Sequence, residues 1–306
     1  MSHPSCPACG SVNTRFFAQA SDVEYFSVPE KFNYRQCEEC DSLSIDPIPR
    51  ERLNQIYPTN YYSFSNQKQG FLIRVKTFLD SRLFKAILAD KRDQKINVLD
   101  IGGGEGWMID ALTSTGQLVG AKQIVDISDR AGELARQKSY DYFCGRIEEF
   151  ETPAKFYLIL MLNLIEHVES PSELLKKAKS LLARDGILLI KTPNFESLDA
   201  RIFKNLSWGG YHCPRHWVLF SMSSLEKLTH SLGFKAVSKK YTQGSPFWTW
   251  SLLHLLHKNG LIHLSAERPT AQHPLNPLLS LLFAAFDFIR LPFFKTSQMY
   301  FVLKSN

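Results

Sequence analysis

The stretch that most constrains this chain is the glycine-rich sequence Leu99-Asp-Ile-Gly-Gly-Gly-Glu-Gly106. It follows Lys95-Ile-Asn-Val98, so a short apolar strand leads directly into a turn that contains four glycines. Glycine has no Cβ and lets backbone N–H groups come close to a ligand. Because glycine also loses more entropy on folding than other residues, four in one turn indicate a binding loop.

The spacing of these glycines excludes two common nucleotide-binding motifs. A dinucleotide fingerprint requires Gly-x-Gly-x-x-Gly, but the third position falls at Trp107 or Ile109. A P-loop requires Gly-Lys-Ser/Thr after its four-residue gap, and no such triplet follows. An Asp-x-Gly-x-Gly-x-Gly pattern remains, formed by Asp100, Gly102, Gly104 and Gly106. An acidic residue at the strand end suits a cationic or amine-bearing ligand better than a pyrophosphate.

This pattern resembles the first motif of class I S-adenosylmethionine-dependent methyltransferases. In that family the glycines pass under the methionine part of the cofactor, and an acidic residue ending the second strand holds the ribose hydroxyls. Here Gln123-Ile-Val-Asp-Ile-Ser128 puts Asp126 at that position, with capping of the segment 128–138 as its alternative role. The resemblance implies a Rossmann-like doubly wound α/β sheet and S-adenosylmethionine as cofactor. The implied cofactor-binding residues are Asp100, Gly102, Gly104, Gly106 and Asp126.

The adenine contact departs from the family's usual pattern. The family usually has an acidic residue after the third strand, where it meets the adenine amine. Here Gly145-Arg-Ile-Glu148 puts Arg146 at that position. We therefore expect this contact from Glu148 or from the backbone of Ile147.

Strand and helix patterns alternate along the chain after residue 95, which is typical of a doubly wound α/β sheet. The predicted strands are 96–101, 122–127, 156–162, 186–192, 234–242 and 298–304, with a weaker one at 141–144. The predicted helices are 71–92, 106–115, 129–139, 171–183 and 223–232. Gly186 is predicted to end the helix before it.

Four of the six cysteines form two Cys-x-x-Cys pairs, Cys6/Cys9 and Cys37/Cys40. Two tight pairs at this separation are typical of a four-thiolate zinc site, which is structural because no coordination position stays open. Disulfides and a redox Cys-x-x-Cys are the alternatives. Disulfides need an oxidising compartment, whereas the polar start of the chain carries no secretion signal and predicts a cytoplasmic protein.

Further stretches resemble one subgroup of these methyltransferases, which carries an N-terminal zinc ribbon and acts in saccharide and natural-product pathways. They are the two cysteine pairs, Asp46-Pro47, Tyr57, Tyr61-Tyr62, Phe156 to Val168, Gly186 to Asn194, and His212 to Ser221. The resemblance covers about residues 6–245. Together with the patterns along the chain, it predicts a zinc ribbon at 1–46, a linker and helical segment at 47–94, and a methyltransferase domain at 95–306 with a hydrophobic helical insertion at about 245–296.

Methyl transfer requires an aligned acceptor and, for a hydroxyl, a group that removes its proton. Histidine is the usual base at neutral pH. His167 follows the fourth strand at its carboxyl end, and His216 lies in the loop after the fifth strand, which roofs the acceptor pocket in this fold. Related sugar C-methyltransferases have an acidic residue and a histidine where Arg215 and His216 stand. This implies His216 as a base, while Arg215 suits an anionic acceptor.

Other roles remain open for these side chains. Either histidine could only pack or bond a loop, with Glu166 as an anchor. A second metal site from Glu166, His167, His212 and His216 is a further alternative. The aromatic residues predicted to line the pocket are Tyr61, Tyr62, Trp208 and Tyr211.

The charge balance is only mildly basic. Its net value of +6 arises from 36 Lys and Arg against 30 Asp and Glu, and the basic residues form no long run. We therefore expect a small-molecule or saccharide acceptor, with O-methylation as the outcome. The alternatives are an RNA base methyltransferase with a zinc ribbon, which this charge pattern disfavours, and a non-catalytic cofactor-binding protein.

The segment 245–296 contains two apolar runs outside the family's core motifs. The second is uncharged from His273 to Phe286, which is shorter than the about 20 residues of a membrane span. Two helices that pack on the sheet as ordinary core are one interpretation. The other is an interfacial lid that touches lipid or a lipid-linked acceptor, at the inner face of the membrane.

Overall fold

The computed structural model describes residues 5–58 and 71–305, and the backbone alone for 71–76. Tyr61 and Tyr62 lie outside the described residues. The strands are β1 (Thr14–Ser21), β2 (Lys31–Cys37), β3 (Leu43–Asp46), β4 (Ile96–Ile101), β5 (Val119–Asp126), β6 (Asp141–Cys144), β7 (Phe156–Leu162), β8 (Leu182–Pro193), β9 (Val218–Leu219), β10 (Phe234–Thr242) and β11 (Gln298–Ser305). The α-helices are α1 (Leu53–Ile56), α2 (Phe71–Ile87), α3 (Trp107–Thr113), α4 (Asp129–Gln137), α5 (Pro171–Leu181), α6 (Leu198–Ile202), α7 (Met222–Ser231), α8 (Ser245–Lys258) and α9 (Asn276–Arg290).

The central sheet has seven strands in the order β10-β11-β8-β7-β4-β5-β6. Strands β4 to β8 run parallel, and β11 is antiparallel to both of its neighbours. From β4 the chain winds outward through β5 to β6, and then returns to β7 on the other side of β4. The Rossmann-like doubly wound prediction is confirmed. Ligands of such sheets bind at the carboxyl ends of the strands where the winding reverses, which here are those of β4 and β7.

Apolar residues form a core on each face of this sheet. Strand β7 is buried on both sides and alternates between them: Leu158 and Leu160 join one core, and Ile159 and Met161 join the other. Helix α4 begins where the Ser128 hydroxyl accepts the Ala131 N–H at 3.2 Å. Because the neighbouring strands β4 to β8 are parallel, their carboxyl ends and the loops after them lie at one edge of the central sheet.

The predicted role of Gly186 is wrong. Helix α5 ends at Leu181 and β8 begins at once, so Gly186 lies within a strand instead of ending a helix. The register explains the difference, because Phe156 pairs with Leu182 whereas Leu158 pairs with Ile187. The extra residues form a bulge, in which Asp185 adopts φ +59°.

A second, four-stranded sheet contains the N-terminal part of the chain, in the order β1-β2-β3-β9. Its last strand, β9, comes from the segment directly after His216. The Ile45 N–H also donates to the Trp217 carbonyl at 3.0 Å. The N-terminal sheet therefore holds the end of the loop that carries His216.

Helices α8 and α9 occupy the segment 245–296 and differ in burial. Helix α8 buries Phe247, Trp248 and Leu253, whereas in α9 the buried residues are Asp287 and Arg290. The Asp287 carboxylate accepts the Gly244 N–H at 3.1 Å and anchors α9 to the start of α8. No helix among the described residues is long and apolar enough to cross a membrane.

Candidate active site

The glycine loop lies between β4 and α3 in a conformation that glycine favours. Gly102, Gly104 and Gly106 have φ values of +73°, +54° and +82°. A Cβ built on Gly106 would lie 2.7 Å from the Tyr140 ring, so packing requires glycine there. A Cβ on Gly104 would meet nothing within 4 Å. Gly104 therefore faces open space, as expected of a loop against which a ligand lies.

Asp100 lies beneath this loop and is buried. Its Oδ2 has no hydrogen-bond partner among the described residues and would lie 2.6 Å from a Cβ on Gly103. Burial, with a smaller contribution from the nearby Asp126 carboxylate, raises the pKa of Asp100 to about 8. A buried carboxyl without a partner suits a cationic group brought by a ligand.

Asp126 ends β5 and contacts the loop directly. Its Oδ2 accepts the Gly104 N–H at 2.9 Å, and its Oδ1 accepts the Ser128 N–H at 3.0 Å. Ser128, not Asp126, supplies the side-chain cap of α4. The structure thus brings together Asp126 and the glycine loop. Ile147, which is buried, and Glu148, which is exposed, follow β6, and β6 lies two strands away from β4 in the sheet.

A second polar cluster follows β7, which with β4 forms the switch point, the place where the winding of the sheet reverses. One carboxylate oxygen of Glu166 and one ring nitrogen each of His167 and His216 all lie within 4.8 Å of one another. Glu166 Oε2 accepts the Thr192 hydroxyl at 2.8 Å, and its Oε1 has no hydrogen-bond partner among the described residues. Both catalytic histidines of the sequence prediction therefore meet next to the strand that carries the glycine loop.

Backbone carbonyls determine which imidazole nitrogens carry protons. Nδ1 of His216 lies 2.8 Å from the Gly210 carbonyl, and Nδ1 of His167 lies 3.1 Å from the Arg215 carbonyl and from the Tyr57 hydroxyl. A carbonyl only accepts, so each Nδ1 is the donor and each Nε2 is unprotonated in the neutral ring.

Burial dominates the electrostatics of this cluster. Desolvation, with the neighbouring His212, lowers the pKa of His167 to about 3. Desolvation, with His167 and His212, also lowers the pKa of His216 well below its usual value. Burial raises the pKa of Glu166 to about 8. Both rings are therefore neutral at physiological pH.

Arg215 does not serve an anionic acceptor, and that expectation is wrong. Its guanidinium is fully buried and donates to Asp22 Oδ2 at 2.8 Å and to the Ile56 carbonyl at 2.6 Å. Asp22 lies between β1 and β2, so this ion pair attaches the N-terminal part of the chain to the histidine loop, the loop that carries His212 and His216. Sequence reasoning missed Asp22 and its neighbour Glu24, which bonds His212, because no spacing marks either acid.

Two aromatic residues predicted to line the acceptor pocket belong to the core instead. Trp208 and Tyr211 are almost fully buried. The Trp208 N–H donates to Asp199 at 2.7 Å, and the Tyr211 ring stacks on Tyr34 at 4.4 Å. Their sequence neighbourhood suggested a loop, but the N-terminal sheet covers that loop.

The four paired cysteines converge at one point. All four sulfur atoms lie within 4.8 Å of one another, with Cys6 to Cys40 at 3.7 Å and Cys9 to Cys37 at 3.5 Å. Four sulfurs bound tetrahedrally to zinc at about 2.3 Å stand about 3.8 Å apart. The cysteine cluster therefore fits a zinc ion.

The two knuckles that present these sulfurs are built alike. The Gly10 N–H donates to the Cys6 carbonyl at 2.7 Å, and the Asp41 N–H donates to the Cys37 carbonyl at 3.1 Å. Both residues have positive φ, which turns the chain back after each pair.

The fold is that of a Rossmann-like α/β protein with a glycine loop at the switch point, and comparisons with known proteins identify its family. A family model described as a methyltransferase domain matches residues 74–239, more than half of the chain. The chain belongs to this family, the class I S-adenosylmethionine-dependent methyltransferases.

Curated relatives match over part of their length. The ubiquinone biosynthesis O-methyltransferase of Actinobacillus pleuropneumoniae is 30% identical over 160 residues, covering 46% of this chain and 67% of that protein. The protein of the same name from Bradyrhizobium diazoefficiens is 29% identical over 102 residues, covering 32% and 40%. The chain thus spans about 40% of the length of the Bradyrhizobium diazoefficiens relative.

One solved structure agrees on the fold. A structure from Galdieria sulphuraria, named as a sarcosine dimethylglycine methyltransferase, aligns with a TM-score of 0.50 at 12% identity, covering 76% of this chain and 87% of that one. The plantazolicin methyltransferase BpumL, solved with SAH and a desmethyl analogue, aligns with a TM-score of 0.48 at 18% identity, covering 75% and 84%.

Proposed function

We propose that this chain transfers the methyl group of S-adenosylmethionine to a hydroxyl of a small-molecule or saccharide acceptor. The observation that carries the proposal is the position of two groups at one switch point. The glycine loop follows β4, and the Glu166–His167–His216 cluster follows the adjacent strand β7. A cofactor on the loop and an acceptor beside the histidines would meet there.

The cofactor roles are assigned residue by residue. Gly102, Gly104 and Gly106 form the surface for the methionine part, and Asp126 holds the ribose hydroxyls. Asp100 lies beneath the cationic part of the cofactor, whose charge would favour the ionised form of this carboxyl. Ile147 and Glu148 contact the adenine. Bound S-adenosylmethionine supplies an electrophilic methyl group, and the chain's own residues orient the acceptor and accept its proton.

His216 is the proposed base, with His167 as its alternative. An unprotonated Nε2 accepts a hydroxyl proton, while the Nδ1 bond to the Gly210 carbonyl fixes the ring orientation. The Glu166 carboxyl group lies 4.0 Å from Nε2 of His216, and an imidazolium there favours the ionised form of this carboxyl. The names of the curated relatives support oxygen as the methylated atom.

The acceptor is proposed to be lipid-linked because of the surface of α9. Nine large apolar residues of this helix and its flanks are exposed, namely Leu275, Leu278, Leu281, Leu282, Phe286, Phe288, Ile289, Phe293 and Phe294. Helix α9 packs on α8, where the Trp248 ring stacks on Phe283 at 5.3 Å. From α8, the Trp250 ring stacks on His212 of the histidine loop at 5.8 Å. A surface of nine exposed apolar side chains, which α8 joins to the histidine loop, suits contact with a lipid surface.

The cysteine cluster is proposed to hold one structural zinc ion. Four thiolates complete its coordination, so the metal stabilises the turns of the N-terminal sheet without contacting the acceptor.

The function is tested with S-adenosylmethionine labelled on its methyl group. Wild-type protein is incubated with polar, lipid and RNA fractions of a cell extract, and mass spectrometry identifies the labelled product. We expect a methyl ether in the lipid or polar fraction, and none with His216→Gln. Label in the RNA fraction alone would instead support base methylation, and no label in any fraction would support a non-catalytic role.

A further inference from the structure

The cluster of Glu166, His167 and His216 has the composition of a metal centre that is separate from the cysteines. Two imidazoles and one carboxylate are the ligand set of many catalytic zinc and non-haem iron sites. A site with three protein ligands keeps positions open for water or for a substrate oxygen.

The orientation of the two rings favours metal binding. Each Nδ1 faces a backbone carbonyl, which leaves Nε2 as the unprotonated donor. Metal-binding histidines typically donate their other ring N–H to a carbonyl or a carboxylate, which fixes the ring. Both His167 and His216 therefore have the second contact that a metal ligand requires.

The facing atoms of Glu166 and His216 need something between them. Glu166 Oε1 has no hydrogen-bond partner among the described residues and lies 4.0 Å from Nε2 of His216. When the Glu166 carboxyl is ionised, as a metal ligand must be, both atoms are acceptors, and 4.0 Å is too long for a direct hydrogen bond. Two donors bound tetrahedrally to one cation at about 2.1 Å stand about 3.4 Å apart. A divalent cation between these two atoms would therefore draw them together by about 0.6 Å.

We propose that Glu166, His167 and His216 bind a divalent transition-metal ion, and that an open coordination position holds the acceptor hydroxyl. Nε2 of His216 is then a ligand in place of the base role given to it above, and the ion acidifies the bound hydroxyl, whose proton passes to water. The role in catalysis rests on the proposed function, whereas the metal site does not. His212 is not a ligand in this proposal, because it does not belong to the group of mutually close ligand atoms that Glu166, His167 and His216 form.

Cobalt(II) separates this site from the cysteine cluster. Thiolate-bound cobalt absorbs strongly in the near ultraviolet by charge transfer, whereas cobalt bound by nitrogen and oxygen does not. The full chain, stripped with a chelator, is titrated with Co²⁺ alone. We expect two equivalents per chain, of which one forms without charge-transfer absorption.

Glu166→Gln and His216→Gln should each lose that second equivalent and keep the thiolate absorption, which also reports that the variants are folded. His230→Gln, at an exposed histidine, is the matched control and should keep both. Circular dichroism monitors folding independently of the metal. Wild-type protein that saturates with the thiolate absorption alone, or a Glu166→Gln variant with both equivalents, would overturn the proposal. A second equivalent in a protein that transfers no methyl group would refute the proposed function and leave the metal site intact.

Discussion

The Asp126 carboxylate holds the glycine loop, because its Oδ2 accepts the backbone N–H of Gly104 at 2.9 Å. The end of β5 is thereby joined to the loop that follows β4. The Asp126 side chain is partly exposed, so it also remains accessible to a ligand. One residue can thus shape the loop and contact the proposed cofactor.

Asp126→Ala should weaken binding of S-adenosylmethionine by about 1.5–3 kcal/mol, the usual contribution of a hydrogen bond to a charged group. Isothermal titration calorimetry measures the change. Asp129→Ala, which removes an exposed carboxylate three residues further on, is the control and should bind normally. If Asp126→Ala and Asp129→Ala bind S-adenosylmethionine with equal affinity, Asp126 does not contact the cofactor.

Gly104→Val should abolish cofactor binding in a folded protein, because its side chain enters the open space above the loop. Gly116→Val is the matched control, since Gly116 also has positive φ and open space at Cβ but lies beyond α3. Both variants carry a similar backbone strain, of order 1 kcal/mol. Binding by both variants, measured by calorimetry, would show that the cofactor does not cover Gly104.

Much of the fold follows from the sequence because its signals are local. Fully apolar runs such as β7 and the glycine-rich turn after β4 predict the strands and the position of the crevice. The Asp22–Arg215 ion pair does not follow, because it joins residues 193 positions apart. The same limit applies to Trp208 and Tyr211, whose burial depends on how the N-terminal sheet packs over their loop.

Burial of α9 could not be predicted either. Its apolar residues are typical of a core helix, and the hydrophobic pattern alone does not say which face another element covers. In the structure Asp287 and Arg290, the two charged residues of this helix, are buried instead. They pair with each other at 3.3 Å, and Asp287 accepts the Trp248 N–H at 3.3 Å, so this contact orients the helix with its apolar side outward.

Cys37→Ser should lose the bound zinc and lower the melting temperature, because the binding energy of a structural zinc is also folding energy. Elemental analysis should find one zinc ion fewer per chain than in wild-type protein. Cys144→Ser, at an exposed cysteine outside the cluster, should keep its metal. An unchanged zinc content in Cys37→Ser would contradict a four-cysteine site.

Asp100→Asn should change how stability depends on pH. The folded chain holds the Asp100 proton up to about pH 8, whereas the unfolded chain releases it near pH 4. This contribution is therefore complete below pH 4 and is lost as the pH rises toward 8, by at most about 1.4 kcal/mol per unit. Relative to wild type, the variant should gain stability between pH 5 and 7 in urea unfolding. A difference that stays constant over this range would show that Asp100 ionises normally.

Wild-type protein should float with anionic phospholipid vesicles, since its net charge is +6 and α9 exposes apolar side chains. Replacing Phe288, Ile289 and Phe293 by serine removes about 1.5 kcal/mol of burial each and should weaken binding about a thousandfold. Val12→Ser with Leu118→Ser, two exposed apolar sites elsewhere, is the control. Wild-type protein that stays in the soluble fraction would exclude the lipid contact.

The central claim is that the loop between Gly102 and Gly106 binds S-adenosylmethionine, and calorimetric titration of the wild-type chain tests it most directly. S-adenosylmethionine and NAD are titrated separately into the same preparation. We expect one saturable site per chain for S-adenosylmethionine, lost in Gly104→Val and kept in Gly116→Val, and no binding of NAD. Saturable binding of NAD without binding of S-adenosylmethionine would contradict the account.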